Sequence, residues 1–409
     1  MTTNLVDTLN PEYIKKFTCI GAACEDTCCS GWRVNVDEET YRKYKKVKNF
    51  DMKLRLEKDI TRNRSNPTKN NVAKMRMEKG KCSFLSKEGW CDIQTKLGED
   101  YLCNTCAVYP RRINKVNNII EQSLTVSCPE AARLVLLNEI GINFVLGQEV
   151  VSIREYSSII NTSKGKITHW KECIDEYRYL TILILQNRDY TLEERLLILG
   201  LLYNELELCV KNNRLNEIPD ILGQYLKSVE DYTFKGAFNN VSNQLDIQLQ
   251  LCRELVILRL KEGITSSRYL ECSRDMMLGL KIEVNTTNEE VKEAYEYSYA
   301  EYYAPFMQEH EYMLENFLVN YVFKNCMPID CDAPFESYTR MILHYSLIKL
   351  HLVGIANHYN GLTSDLVIKL VQSLSKTFEH NPTYFEKTMG LFKENNLMNL
   401  TYMSMLVKN

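Results

Sequence analysis

Apolar residues in the second part of the chain recur at spacings of three and four, which is the pattern of a helix with one buried face. At Thr191 and Glu194 a hydroxyl and a carboxylate stand three residues apart ahead of Leu196 and Leu197, as in a capping box at the start of a helix. The pattern predicts an α-helical bundle or array with few strands. Further helices are predicted over residues 241–261, 289–303, 310–325, 337–358 and 364–378.

The first 128 residues follow a different pattern. They are rich in cysteine, basic in places and poor in helical periodicity. Alternation of apolar and polar residues over 32–36 predicts a strand there. We therefore predict a mainly α protein, with a small cysteine-rich domain that binds a metal or cluster at residues 1–128 and a larger α-helical domain at residues 129–409.

Composition narrows the class of protein. A chain of 409 residues exceeds the size at which one core keeps growing, so two or three domains are expected. The formal net charge of −3 offers no basic excess to a phosphate backbone, and the apolar stretches fall short of the roughly 20 residues of a membrane span. We expect neither a nucleic-acid nor a membrane partner. Without a signal-peptide pattern, a cytoplasmic, reducing location with few disulfides is expected.

Eight of the fifteen cysteines lie between Cys19 and Cys106. Thiolates are soft ligands, and a short spacing such as that of Cys103 and Cys106 brings two of them to one metal or cluster. The adjacent Cys28 and Cys29 cannot both turn toward one ion without distortion, so one of them is expected to pack or to serve a second centre. These spacings predict a metal or iron–sulfur site and do not distinguish zinc from iron–sulfur.

Other motifs restrict the chemistry. The Cys-x3-Cys-x2-Cys pattern of radical chemistry is missing from the sequence, as are GxGxxG and the P-loop, so a conventional Rossmann nucleotide site is not expected. A zinc-stapled fold without chemistry stays open as an alternative. Free cysteines favour cores, and we assign to the core the later cysteines Cys173, Cys209, Cys252, Cys272, Cys326 and Cys331.

Two family resemblances follow from these strings. CC at 28–29, KCSFL, GWCDIQ and CAVYPRR resemble a widespread cysteine-cluster domain described as zinc- or iron-chelating. The longer strings FTCIGAACEDTCCSGWRVNVDEETYRKY, LGEDYLCNTCAVYPRR, ENFLVNYVFKN and HYSLIKLHLVGIA are similar to flagellin lysine-N-methylases, over most of the chain. Where the cysteine-cluster domain has an arginine after its last cysteine, this chain has Ala107, with Arg111 and Arg112 following the proline.

The resemblance to the methylases implies methyl transfer from S-adenosylmethionine to surface lysines of flagellin, with a [4Fe-4S] cluster in the cysteine domain and the helical domain completing the donor and substrate site. Zinc is the alternative metal, and a non-enzymatic metal-binding scaffold for a protein partner is the alternative function. Seven thiols are candidate ligands for a cluster that uses four: Cys24, Cys28, Cys29, Cys82, Cys91, Cys103 and Cys106. No catalytic side chain is assigned.

Two segments supply candidate cofactor-binding residues. The run AYEYSYAEYYAPF contains Tyr299 and Tyr303, whose faces would attract ammonium and sulfonium groups if they did not simply line a packed interface. Glu315, Asn316 and Asn320 fall within one helical turn or so of each other in HEYMLENFLVNYVFKN, where they would bind the donor or form a hydrogen-bonded helix surface.

Three histidines recur every seven residues, at His344, His351 and His358. Seven residues rise about 10.5 Å along a helix, which is too far for adjacent members to share a metal. We expect this stripe to contact a partner or solvent.

Overall fold

The computed structural model describes residues 5–151, 153–162, 167–283 and 285–409. Helices dominate it, so the predicted mainly α class is confirmed. The helices are α1 Glu38–Tyr44, α2 Phe50–Asp59, α3 Asp92–Leu97, α4 Asn104–Val108, α5 Pro129–Leu136, α6 Ile174–Gln186, α7 Leu192–Lys211, α8 Ile218–Glu230, α9 Leu245–Lys261, α10 Ser267–Gly279, α11 Asn288–Ser298, α12 Ala304–His310, α13 Tyr312–Asn325, α14 Pro334–Tyr359, α15 Ser364–Phe378, α16 Pro382–Glu394 and α17 Leu400–Val407.

Helix α14 lies at the centre of the helical part. Nearly all of its side chains are buried, because α7, α10, α15 and α17 pack around it. Apolar residues occur all around α14, which is the pattern of a helix inside a core. Gly279 of α10 and Gly354 of α14 meet at a close crossing, where a Cβ on Gly279 would lie 1.8 Å from the Gly354 carbonyl oxygen. The two glycines therefore set how closely these helices approach.

The predicted helix start at Thr191 is confirmed. The Thr191 hydroxyl accepts the Glu194 amide, and the Glu194 carboxylate accepts the Thr191 amide at 2.9 Å. The same arrangement begins α11 at Thr287 and Glu290. Each box satisfies amides of the first turn that have no partner within the helix.

The described ranges also contain ten strands. They are β1 Leu5–Pro11, β2 Asn35–Val36, β3 Ile60–Arg62, β4 Ala73–Met75, β5 Met77–Glu78, β6 Lys81–Cys82, β7 Arg111–Val116, β8 Ile119–Leu124, β9 Phe144–Val150 and β10 Ser158–Ile160. The strand predicted at residues 32–36 is present as the short β2.

Five of the strands form a mixed sheet in the order β10–β7–β8–β1–β9. Strands β7 and β8 form an antiparallel hairpin whose two-residue turn begins at Asn117, with φ of 54°, as such turns favour. Strand β1 runs parallel to β8 and antiparallel to β9. Helix α13 packs on β8, and five of the six β8 residues are buried, which removes the alternation that would have predicted the strand.

The described residues contain two main apolar cores. The larger core runs from Tyr13 to Val407 and unites the sheet with the helices. A small core built from residues 34–103 lies among the cysteines. Because the five-stranded sheet takes strands from both sides of residue 129, the division into domains at that residue stays a prediction.

The cysteine-rich part is fastened to α15. Lys376 forms a buried ion pair with Asp26 at 2.7 Å and donates to the Thr27 carbonyl, while Gln372 donates to Asp26 and to the Ser127 carbonyl. These bonds hold the chain next to Cys28 against the C-terminal helices. None of the helices in the described ranges combines the length and the hydrophobicity of a membrane span.

Candidate functional site

Six of the seven predicted ligand cysteines gather around the small core, and we call them the thiol cluster. Cys103 and Cys106 lie at the start of α4 and within it, Cys91 begins α3, and the Cys82 amide donates to the Cys29 carbonyl at 2.8 Å. Mutual thiol interactions join Cys29 with Cys28 and Cys91, and Cys103 with Cys106. The members are Cys28, Cys29, Cys82, Cys91, Cys103 and Cys106.

The donor set is chemically suited to a soft metal or an iron–sulfur group, because sulfur dominates it. The ligand geometry is not formed, since no three histidine, cysteine, aspartate or glutamate side chains among the described residues converge on one ion position. Hydrogen bonding with Cys28 raises the pKa of Cys29 to about 12, and burial raises the pKa of Cys82 to about 11. All fifteen cysteines are free thiols.

The seventh predicted ligand, Cys24, belongs to another group. Its thiol donates to the Asp26 carbonyl at 3.4 Å and interacts with Cys19. Cys128, which begins α5, interacts with both Cys24 and Cys19. No spacing pattern pointed to Cys128, because it lies more than twenty residues beyond the last motif cysteine.

A cleft of about 930 Å³ opens beside the thiol cluster. Asn104 and Thr105, between the two cysteines of α4, line its wall, and the Trp32 indole nitrogen, which donates to the Cys28 carbonyl, lies at the same side. The opposite walls come from the C-terminal helices and from β10. The lining side chains belong to Trp32, to Thr125 and to residues within segments 104–112, 155–160, 321–330, 340–344 and 379–385.

Aromatic rings form one corner of this cleft. Trp32 meets Tyr109 and His380 edge to face, with ring centroids 4.8 Å apart in both pairs. His380 accepts or donates a hydrogen bond at Ser127, and burial lowers its pKa to about 4, so the ring is neutral at physiological pH. Aromatic faces attract cations that are partly removed from water. This corner has the properties that the sequence analysis expected of the tyrosine-rich run.

Charged side chains lie deeper in the cleft. Lys324 of α13 and Glu379 after α15 form an ion pair, and Lys324 is 3% exposed. Burial acts to raise the pKa of Glu379, but the Lys324 charge outweighs it and holds the pKa at about 2. Asp330 accepts from Ser337 at 2.5 Å, and burial raises its pKa. The cleft therefore keeps a fixed cation and a fixed anion side by side.

The three polar residues predicted on α13 lie outside this cleft. Glu315 accepts hydrogen bonds from Arg188 and Arg195, Asn316 donates to the Asn138 carbonyl, and Asn320 donates to the Leu124 carbonyl. Their bonds connect α13 with α7 and β8. Their assignment to the cofactor stays a prediction.

Tyr299 and Tyr303 lie in a ladder of stacked rings. The centroids of Tyr295 and Tyr299 are 6.3 Å apart, and those of Tyr299 and Tyr303 are 5.3 Å apart. The ladder packs against α14 within a π-helical turn that joins α11 to α12. The cleft lining does not include either tyrosine, and their binding role also stays a prediction.

The expectation that the histidine stripe contacts a partner or solvent is wrong for two members. His344 and His351 are 2% and 0% exposed, because α14 is enclosed on all sides, whereas His358 is partly exposed. The ring nitrogen Nδ1 of His344 and of His351 donates to the carbonyl one turn earlier. Of these three histidines, His344 is the one that lines the cleft.

A second groove, of about 870 Å³, lies between the sheet and α6. Its floor carries the buried ion pair of Glu121 with Arg178, in which two guanidinium nitrogens donate to the two carboxylate oxygens at 2.6 Å. Tyr179 stands at its rim, 65% exposed. The groove is more apolar than the first cleft and has no contact with the thiol cluster.

Comparisons with known proteins agree with this picture. The profile of the FliB lysine N-methylase C-terminal domain matches residues 178–406. Two proteins named lysine-N-methylase, from Salmonella typhimurium and Salmonella choleraesuis, are 20% and 21% identical over 91% of this chain and 91% of their own length. The flagellar biosynthetic protein FliU of Salmonella muenchen is 30% identical over 31% of this chain and 75% of its own. No solved structure matches the chain.

The chain is mainly helical and begins with a cysteine-rich part, and a polar cleft lies between that part and the C-terminal helices. These features define the class of protein. The profile covers more than half of the chain, and the chain belongs to the FliB lysine N-methylase family. The profile includes Lys324, His344, Glu379 and His380 of the cleft, none of which the sequence analysis assigned. A signal was available for Lys324 and His344, since both fall inside strings that carry the family resemblance.

Proposed function

We propose that this protein is a protein-lysine N-methyltransferase that uses S-adenosylmethionine and that transfer takes place in the cleft beside the thiol cluster. Family membership supports the reaction class. One observation supports the proposed site of transfer: a single cavity is lined by residues of α4, by the aromatic corner and by the charged groups Lys324 and Glu379.

The cleft suits the reaction chemically. Methyl transfer needs a neutral amine aligned with the donor methyl group. Desolvation in the cleft disfavours the ammonium form of an incoming lysine and so lowers its pKa. S-Adenosylmethionine supplies the methyl group from a sulfonium, and the faces of Trp32 and Tyr109 attract such a cation while excluding water.

We propose further that the thiol cluster holds a [4Fe-4S] group, with zinc as the alternative. Four ligands would come from the six thiols named above, and the donor chemistry fits either group. Such a group, when bound, would supply a rigid junction between the segments that carry its ligands. The thiols of α4 would fix Asn104 and Thr105 at the cleft wall, because Cys103 and Cys106 flank them in sequence.

Flagellin is the proposed protein substrate. One relative is named a flagellar biosynthetic protein and two are named lysine-N-methylase, which together support a flagellar protein as methyl acceptor. A cytoplasmic location is proposed as well, and fifteen free thiols suit a reducing compartment.

The test is methyl transfer by the full chain, purified without oxygen. Tritiated methyl groups from S-adenosylmethionine should enter flagellin from the same organism and should be recovered as methylated lysine after hydrolysis. Flagellin whose lysines have been acetylated is the control and should stay unlabelled. A purified protein that binds flagellin and metal but transfers no methyl group would instead support the non-enzymatic scaffold.

The location has its own test. Trp32→Ala removes one aromatic face and should weaken binding of S-adenosylmethionine by roughly 2- to 30-fold, the range of about 0.5–2 kcal/mol for a cation–π contact. Tyr179→Ala, at the rim of the second groove, is the matched control and should leave binding unchanged. The reverse result would move the donor to the second groove.

Metal content tests the thiol cluster. Iron, sulfide and zinc are measured on oxygen-free protein, together with the visible absorption spectrum. Cys91→Ser and Cys106→Ser should lower the metal content, whereas Cys209→Ser, which changes a buried thiol of α7, should not. Full metal content in both ligand variants would contradict the proposed site.

A further inference from the structure

His344 and His351 of α14 each form a backbone hydrogen bond through Nδ1, and they differ in whether Nε2 has a hydrogen-bond partner. In both, Nδ1 carries the proton, because it donates to a carbonyl oxygen, at 2.8 Å for His344 and 2.7 Å for His351. The Nε2 of each neutral ring is then an acceptor. Tyr269 satisfies that of His351 at 3.1 Å, whereas that of His344 has no partner among the described residues.

An acceptor left without a donor inside a protein is costly, and a donor from a bound molecule removes that cost where the acceptor lines a cleft. His344 is 2% exposed and lines the cleft, between the rings of Tyr321 and Phe385 at 5.0 and 4.5 Å. The aromatic contacts fix the imidazole plane. The unfilled acceptor therefore has a set direction.

A second acceptor lies nearby in the same cleft. Glu379 uses Oε2 for Lys324, and its carboxylate interacts with the Ser375 side chain, while its Oε1 has no hydrogen-bond partner among the described residues. Glu379 and His344 interact electrostatically. A ligand group placed between them should carry two N–H donors.

We infer that His344 Nε2 and Glu379 Oε1 receive the two N–H groups of the neutral substrate lysine and act as positioning residues for its attack. The inference rests on the proposed function. A primary amine that donates both hydrogens to fixed acceptors has its lone pair directed away from them. That lone pair is the group that must be aligned with the methyl donor.

The reaction balances without a further reagent. The lysine ammonium gives one proton to water as it enters the cleft, beside the Lys324 charge. The nitrogen lone pair then forms a bond to the methyl carbon, and the carbon–sulfur bond breaks with its electron pair passing to sulfur. The nitrogen gains the positive charge that sulfur loses, and methylated lysine leaves as its ammonium.

Three substitutions of His344 separate positioning from packing. His344→Asn keeps a donor for the Arg340 carbonyl and has no acceptor where Nε2 stood. His344→Gln extends an acceptor oxygen to that place, and His344→Phe keeps the ring volume alone. His351→Asn is the matched control on the same helix. Each is assayed with full-length protein and flagellin for kcat, KM and S-adenosylmethionine affinity, and its melting temperature is measured.

We expect kcat to fall about 100-fold in His344→Asn and His344→Phe, the loss typical of a misaligned reactant, with donor affinity within about threefold of wild type. His344→Gln should keep kcat within about tenfold, and His351→Asn should lose stability rather than kcat. If His344→Phe fails to fold, His344→Asn decides.

The measurements distinguish failure of the proposed function from failure of the role inferred for His344 and Glu379. An inactive wild-type protein refutes the proposed function and this inference together. An active wild type with undiminished kcat in folded His344→Asn or His344→Phe refutes the inference alone, as does equal loss of kcat in His344→Asn and His351→Asn.

Discussion

Replacing Glu315 by glutamine should destabilise the protein strongly. The Glu315 carboxylate is buried and accepts three hydrogen bonds, from Arg195 at 2.7 Å and from Arg188 at 2.9 and 3.0 Å. Arg195 is itself fully buried, so Glu315→Gln leaves a guanidinium in the core with only Glu311 to balance its charge. The substitution keeps the size of the side chain and changes its charge.

The structure sets the magnitude. Breaking a buried ion pair by removing one partner costs about 3–5 kcal/mol of unfolding free energy. Because Arg195 keeps its ion pair with the partly exposed Glu311, we expect a loss at the lower end, about 3 kcal/mol. The exposed pair of Arg214 and Glu217 has a similar N–O distance, 2.6 Å, with both side chains nearly half exposed. For Glu217→Gln we expect a loss below about 1 kcal/mol.

The assay is urea unfolding followed by far-ultraviolet circular dichroism, with binding of S-adenosylmethionine measured on the same preparations. Glu315→Gln should lower the free energy of unfolding by at least about twice the loss in the Glu217→Gln control. Donor affinity should stay within about threefold of wild type below the transition. Equal losses in the two variants, or a large loss of donor affinity without a loss of stability, would refute the structural role and favour the sequence-based assignment of Glu315 to the cofactor.

Three further changes test the fold. Gly279→Ala should lower the free energy of unfolding by about 2 kcal/mol or more, because its methyl group meets the Gly354 carbonyl; a neutral effect in thermal melts would contradict the tight crossing. Thr191→Ala should cost about 1 kcal/mol by removing the cap of α7, and an unchanged midpoint in urea would argue against the capping box. Burial lowers the pKa of His351 to about 4 from an ordinary value of about 6.5, so this group makes the folded state less stable as pH falls through that window, by about 3 kcal/mol. His351→Phe should flatten the fall in melting temperature between those pH values, and an unaltered slope would contradict burial of a neutral ring.

The helices were predictable because their apolar spacing survives in sequence. The predicted segment 364–378 coincides with α15, and 241–261 and 310–325 differ from α9 and α13 only at their starts. The five-stranded sheet was not predictable from alternation. In β8 both faces are buried, and β1 and β9 pair with strands more than a hundred residues away.

The candidate site was only partly predictable. Cysteine spacing identified the thiol cluster, since ligands on short loops leave a local pattern. The cleft joins segments that lie far apart in sequence, so no local pattern links Trp32 to His344 or His380. Tyrosine content alone did not distinguish a binding role from packing, and Tyr303 is buried in a ladder of stacked rings.

Photocrosslinking of the methyl donor tests directly whether the cleft beside the thiol cluster binds S-adenosylmethionine. Radiolabelled S-adenosylmethionine is irradiated with the oxygen-free protein, and the labelled peptides are identified by mass spectrometry, with excess S-adenosylhomocysteine as competitor. We expect competable label in residues 104–112, 321–344 or 379–385, the segments that contribute to the cleft lining. Competable label confined to the second groove, in residues 175–187, would contradict it.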